Sequence, residues 1–144
     1  MRCIAVNLDV PDIDAAVAYY RDVLGFREDI HIPEPDGTTH YATVTHGEAT
    51  IMFDRADHIP VERRPYLGTG VTLYIDLGEG DIDAWHNTLR ERGVTLVKPL
   101  RDEYWGARDF TIADNNGYHI TFAQQREPLS QQEMIANLLR QREL

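Results

Sequence analysis

One cysteine, Cys3, stands in a chain of 144 residues. No disulfide can form within the chain, and no neighbouring histidine makes its thiol a nucleophile. It is read as a small buried residue of a first strand. Long apolar runs are missing too: no window approaches the ~18 apolar residues that a membrane helix needs, which removes a membrane-spanning helix. Positive charge is scarce, with 14 Lys and Arg against 24 Asp and Glu and a net charge of −10. Such a surface repels phosphate backbones and anionic membranes and concentrates cations, so neither nucleic acid nor membrane is expected as a partner. The opening MRCIAVNLDVPDID places aspartates directly after a short apolar run and has no small-residue cleavage site. A secretory leader is therefore not expected, and a cytoplasmic location is.

What the chain has is periodicity, twice over. IAVNLDV alternates apolar Ile4, Val6, Leu8 and Val10 with Ala5, Asn7 and Asp9, the pattern of a half-buried strand. Asp12 follows as an N-cap, Ile13, Val17, Tyr20 and Leu24 share one helical face, and Gly25 ends the helix. Strands are predicted around FREDIHI, HYATVT and EATIMF, with a loop at PEPDG and a tight turn at His46-Gly47. The second half repeats this order. Asp12-Ile13-Asp14-Ala15 matches Asp81-Ile82-Asp83-Ala84, and Ile51-Met52-Phe53 matches Ile120-Thr121-Phe122. The offset is 69 residues from Asp12 to Asp81 and from Phe53 to Phe122, and 68 from Gly25 to Gly93. An internal repeat is the reading of that constancy. The fold expected is α+β: two βαβββ modules, at about 4–53 and 69–124, joined by a Pro- and Gly-containing linker at 54–68. A C-terminal helix is expected at about 130–143, begun by Ser130 and Glu133 in capping-box spacing, so that 1–144 form one domain.

The stretch LDVPDIDAAVAYYRDVLGF, with the later WGARDFTIADNNGYHITF, resembles the vicinal oxygen chelate superfamily of glyoxalases, bleomycin-resistance proteins and extradiol dioxygenases. The resemblance runs over about residues 4–124 and implies mixed sheets cupped around a central cavity, commonly in a homodimer. It also implies where a divalent metal would bind: side chains of the first and last strands of each module, usually His, Gln or Glu. Carried over by the repeat, those positions are Ala5, Met52, Thr72 and Thr121. None is a usual ligand for Zn, Fe, Mn or Ni, and a one-residue slip would bring apolar neighbours to the face. Neither a metal nor any other cofactor is expected, which points to the bleomycin-resistance-like branch.

Strand alternation lists the face turned away from the helices: Asn7 and Asp9; Tyr41 and Thr43; Thr50 and Met52; Thr72, Tyr74 and Asp76; Asp109 and Thr111; His119 and Thr121. Hydroxyls, carboxylates and aromatics of this kind can hold a cationic or aromatic small molecule. Trp105 is the first choice for a stacking residue, because the resemblance places a groove-lining tryptophan there. The ligand-binding set is then Trp105, Tyr41, Tyr74, Asn7, Asp109, Thr111, His119, Met52 and Thr121. Arg108 is expected to point away with Phe110 and Ile112, Trp85 to be core, and Asp114-Asn115-Asn116-Gly117 to be a hairpin turn. The function expected is metal-independent binding of a natural-product or antibiotic-like molecule by sequestration. Two alternatives stay open: a metal-dependent glyoxalase-like lyase or isomerase or extradiol-type dioxygenase, and a metal-free acid/base enzyme with His119 as its catalytic candidate.

Overall fold

A computed structural model describes residues 1–143. The first half runs β1 (Val6–Val10), α1 (Ile13–Asp22), β2 (Arg27–Pro33), β3 (Thr39–His46) and β4 (Ala49–Arg55). A 3₁₀ segment at Val61–Tyr66 precedes the second half: β5 (Thr72–Asp76), α2 (Ile82–Glu91), β6 (Thr95–Asp102), β7 (Ala107–Ala113) and β8 (His119–Gln125), then α3 (Gln131–Arg142). Both βαβββ modules expected from the repeat are present, in an α+β fold with two four-stranded mixed sheets. Their orders are β1-β4-β3-β2 and β5-β8-β7-β6, the first strand of each module lying at one edge of its sheet and pairing in parallel with the last.

The repeated helix starts work in the same way. Asp12 and Asp81 each accept the backbone N–H three residues on, from Ala15 and Ala84, both at 3.0 Å, which satisfies one of the unpaired donors of a first helical turn. Gly25 (φ 78°) and Gly93 (φ 79°) then leave the two helices in the left-handed conformation that a side chain resists. At α3, Ser130 Oγ accepts the Glu133 N–H while the Glu133 carboxylate accepts the Ser130 N–H, closing a capping box.

The chain forms two compact units. In the first, Met1–Thr69 with Asp114–Tyr118, the core gathers Leu8, Val10, Ile13, Val17, Tyr20, Leu24, Phe26, Val44, Ile51 and Phe53, all buried. Tyr20 meets Phe26 and Phe53 edge-on at 5.5 and 5.1 Å. Its hydroxyl donates to Asp114 Oδ2 at 2.7 Å, while Asp114 Oδ1 accepts the N–H groups of Asn116 and Tyr118. Residues 114–118 therefore make a self-capped turn, and its Tyr118 hydroxyl donates to the Asp9 carbonyl at 2.7 Å. In the second unit, Gly70–Ala113 with the chain from His119 on, the core comprises Leu73, Ile82, Leu89, Phe110, Ile112, Ile120 and Phe122.

Three local expectations are corrected. Ile4 is 97% exposed and Cys3 is exposed, so neither belongs to a strand or to the core. The parallel ladder begins only where Val6 meets Ile51, two residues into β4, and alternation without a partner strand does not make a strand. The turn between β3 and β4 is Gly47-Glu48, one residue later than expected. Trp85, expected in the core, is half-buried, with its ring edge-on to Phe122 at 5.8 Å. No helix among the described residues is long and apolar enough to cross a membrane.

Candidate functional site

On the first unit, pairing register fixes which side chains share the sheet face opposite α1. Asn7 lies beside Met52 and Asp9 beside Asp54, while Met52 faces Thr43 and Asp54 faces Tyr41 across β3. Paired residues project to the same side of a sheet, so a neutral row of Asn7, Met52 and Thr43 lies next to a row of two carboxylates and a phenol. The carboxylate row opens into a groove of about 560 Å³ lined by Asn7, Asp9, Glu34, His40, Asp54, Arg55, Asp57 and His58. Four carboxylates there stand against one arginine, a net −3 with both imidazoles neutral. Arg55 Nε is taken by Asp57 at 2.7 Å, His40 Nδ1 lies 2.6 Å from Glu34 and His58 Nε2 lies 3.2 Å from Asp9. Asp54 has no ion-pair partner among the described residues. It is half-buried, beside a second carboxylate and opposite an aromatic ring.

The matching face of the second unit is built differently. Tyr74 pairs with Thr121 and Asp76 with Ala123; Thr121 faces Thr111, and Ala123 faces Asp109. Position by position, the Asp9, Asp54 and Tyr41 of the first sheet are replaced by Asp76, Ala123 and Asp109. Here Asp109 is 1% exposed, with Lys98 Nζ 2.6 Å from its Oδ1. Lys98 also donates to Glu103 at 2.7 Å, and Arg101 Nε reaches the same Glu103 oxygen at 2.8 Å. Burial and the neighbouring Glu103 push the Asp109 carboxyl above its usual range, and Lys98 offsets only part of that. Burial acts the same way on Glu103, but the Arg101 and Lys98 hydrogen bonds outweigh it and hold that carboxyl below its usual range. Burial tends to lower Lys98, and its two carboxylate partners carry it above its ordinary value. The cluster is a closed, charge-balanced knot.

These contacts correct several expectations. Asp109 is no free ligand for a cation, because Lys98 already neutralises it in a buried setting. Thr111 and Thr121, expected to offer hydroxyls, are buried and bonded to each other at 2.7 Å. Trp105, in the β6–β7 loop, is half-buried; its ring meets Tyr104 edge-on at 4.9 Å and lies 5.9 Å from the Lys98 ammonium. Tyr74 is 55% exposed, Asn7 is exposed, and Tyr41, Met52 and His119 are half-buried, His119 beside Thr72. Arg108 lies on the helix side, where it pairs with Asp83 of α2 at 3.0 Å.

The implied metal positions are poor in donor atoms. Ala5 precedes β1 and has no donor atom, Met52 offers only a soft thioether, the Thr121 hydroxyl is engaged by Thr111, and Thr72 is a neutral hydroxyl. No group of three or more His, Cys, Asp or Glu among the described residues is arranged to hold a metal. These positions do not fit the ion that the wider family implies.

Sequence reading did not single out Glu34, His40, Asp54, Asp57 and His58 in the groove, or Lys98 and Glu103 in the knot. Asp54 was within reach, since it lies two residues beyond Met52 on the same strand face. Glu34, Asp57 and His58 come from connecting segments, where no periodicity points to a common pocket.

With this geometry in hand, comparison with known proteins places the chain. It belongs to the glyoxalase/bleomycin resistance protein/dioxygenase superfamily, whose family profile matches residues 4–122. An uncharacterised protein of Mycobacterium bovis is 27% identical over 137 residues, covering 90% of this chain and 88% of the relative. Among solved structures, TioX from Micromonospora sp. ML1 is similar with a TM-score of 0.65 and 24% identity, over 89% of this chain and 99% of that one. A lactoylglutathione lyase from Agrobacterium tumefaciens is similar with a TM-score of 0.61 and 18% identity, over 86% and 94% of the two chains. At these identities the structural likenesses speak for the fold alone.

Proposed function

We propose that this chain is a metal-independent, cytoplasmic binding protein for a small cationic, ring-bearing molecule of the natural-product or antibiotic-like kind, and that it acts by sequestration. The observation that carries this reading is the pair Asp9 and Asp54, adjacent in register in a groove of net −3, with Tyr41 opposite Asp54 on the same sheet face. Carboxylates attract the ligand's charge and a phenol ring offers it a face, which together bind without any bond being made or broken. The donor-poor metal positions support binding rather than Lewis-acid catalysis. The family resemblance further supports a homodimer, which sedimentation would read directly.

Calorimetry with bleomycin-type compounds tests the reading. Stoichiometric binding with the compound recovered unchanged is expected, and Asp54→Asn should weaken it about tenfold. A stoichiometric Ni, Zn, Fe or Mn ion in protein prepared without chelator, or turnover of a bound compound, would sink it. Equal binding by the Asp54→Asn variant would move the site elsewhere.

A further inference from the structure

Two imidazoles line the acidic groove of the first unit, and each meets one of its carboxylates. His40, on β3, lies 2.6 Å from Glu34 of the β2–β3 loop, and His58, after β4, lies 3.2 Å from Asp9 of β1. Their side chains are 58% and 68% exposed, so protons reach both without unfolding. The remaining charged groups of the lining are Asp54 and the Arg55–Asp57 pair. Histidine is the side chain that changes charge between about pH 5 and 8. With both imidazoles neutral the lining carries −3; with both protonated it carries −1.

We propose that cation binding in this groove is coupled to the loss of protons from His40 and His58, so that the ligand is held at neutral to alkaline pH and released on acidification. The proposal rests on the binding reading above. An imidazolium at His58 uses Asp9, a carboxylate that the ligand's charge would use, one at His40 neutralises Glu34 of the same lining, and each adds a like charge to the groove. A neutral imidazole does the reverse: it donates one N–H and orients the carboxylate without cancelling its charge. A ligand held more tightly by the deprotonated protein must expel protons as it binds, because the coupling is reciprocal.

Berberine is a suitable probe, a planar aromatic cation whose charge is permanent and does not itself change between pH 5.5 and 8. Binding to the full chain is followed at low ionic strength, where exposed charges are least screened. Affinity should be about tenfold weaker at pH 5.5 than at pH 8, and calorimetry in buffers of different ionisation enthalpy should report proton release on binding. In the variant His40→Gln/His58→Gln the two affinities should agree within about twofold. Wild-type binding that is equal at the two pH values, or a double variant that keeps the full dependence, would overturn the coupling while leaving the binding reading intact. No berberine binding at pH 8 would reject both.

Discussion

Replacing Lys98 by methionine removes the only cation within ion-pair distance of the buried Asp109 carboxylate among the described residues. Lys98 Nζ lies 2.6 Å from Asp109 and 2.7 Å from Glu103, and those two side chains are 1% and 3% exposed. Glu103 keeps Arg101 at 2.8 Å, so the loss falls on Asp109. Breaking a buried ion pair from one side costs about 3–5 kcal/mol. Asp109 has an escape, which is to take up a proton. Its pKa is already raised, and from an ordinary value near 3.8, protonating at pH 7 costs about 1.4 kcal/mol per unit, or about 4 kcal/mol in all. That sets a ceiling, and because the Lys98 side chain is 28% exposed, some of the wild-type attraction is already screened. We expect about 3 kcal/mol at pH 7.

The sign of the pH dependence follows. In the variant the folded state holds a proton on Asp109 that the unfolded chain releases above its ordinary carboxylate range, so variant stability falls as pH rises through that range. Urea unfolding of wild type and Lys98→Met at pH 7 and pH 4 should show a gap that narrows to about 1 kcal/mol or less at the lower pH. Adding Asp109→Asn to the variant should recover at least half of the loss at pH 7, because it removes the charge left behind. A loss under 1 kcal/mol at pH 7, a gap that does not narrow, or a double variant no better than the single one would refute the reasoning.

Tyr20→Phe removes the hydroxyl that Asp114 Oδ2 accepts and should cost about 1–3 kcal/mol in urea unfolding. Because burial already raises the Asp114 pKa and Tyr20 opposes that rise, the deficit should be larger at pH 7 than at pH 4. Gly106→Ala forces a Cβ onto the Glu127 carbonyl at a residue with φ 90°, and should lose at least ~2 kcal/mol. A thermal midpoint within 2 °C of wild type would count against it. His86→Phe should raise stability by about 1 kcal/mol, since His86 Nε2 is buried without a hydrogen-bond partner while its ring packs on Phe110 at 4.9 Å. A lower midpoint would mean that the nitrogen has a partner in solution.

Local signals carried the fold because each had a nearby cause. Asp12 and Asp81 cap helices three residues away, Gly25 and Gly93 end them, and the apolar faces of α1 and β4 have periods that any sequence window reveals. Ile4 and Cys3 misled because strand membership depends on a partner, and the ladder stops at Val6. The site was legible to the same depth. Alternation put Asn7, Tyr41, Thr111 and Thr121 on the faces away from the helices, where the register places them. It could not say that Thr111 and Thr121 bond to each other, or that Lys98 reaches Asp109, since those contacts join residues by geometry rather than by spacing.

The repeat offers a comparison within one molecule. Its two sheets have the same topology, and their open faces can be matched residue by residue, so differences between them reflect side chains rather than fold. At the Tyr41 position the second sheet has Asp109, buried and joined to Lys98, Glu103 and Arg101 in a balanced cluster. At the Asp54 position it has Ala123, which carries no charge. The first sheet keeps Asp9 and Asp54 together in an open groove, where Asp54 has no ion-pair partner among the described residues. A carboxylate buried against a lysine holds a structure together and has little left for a ligand, whereas a half-buried one beside a second carboxylate is repelled by its neighbour and gains from any cation that arrives. Under the proposed function ligand recognition belongs to the first sheet, and the consequence is measurable: Asp54→Asn should weaken cation binding and leave stability within about 0.5 kcal/mol, while Lys98→Met should lower stability and leave binding unchanged.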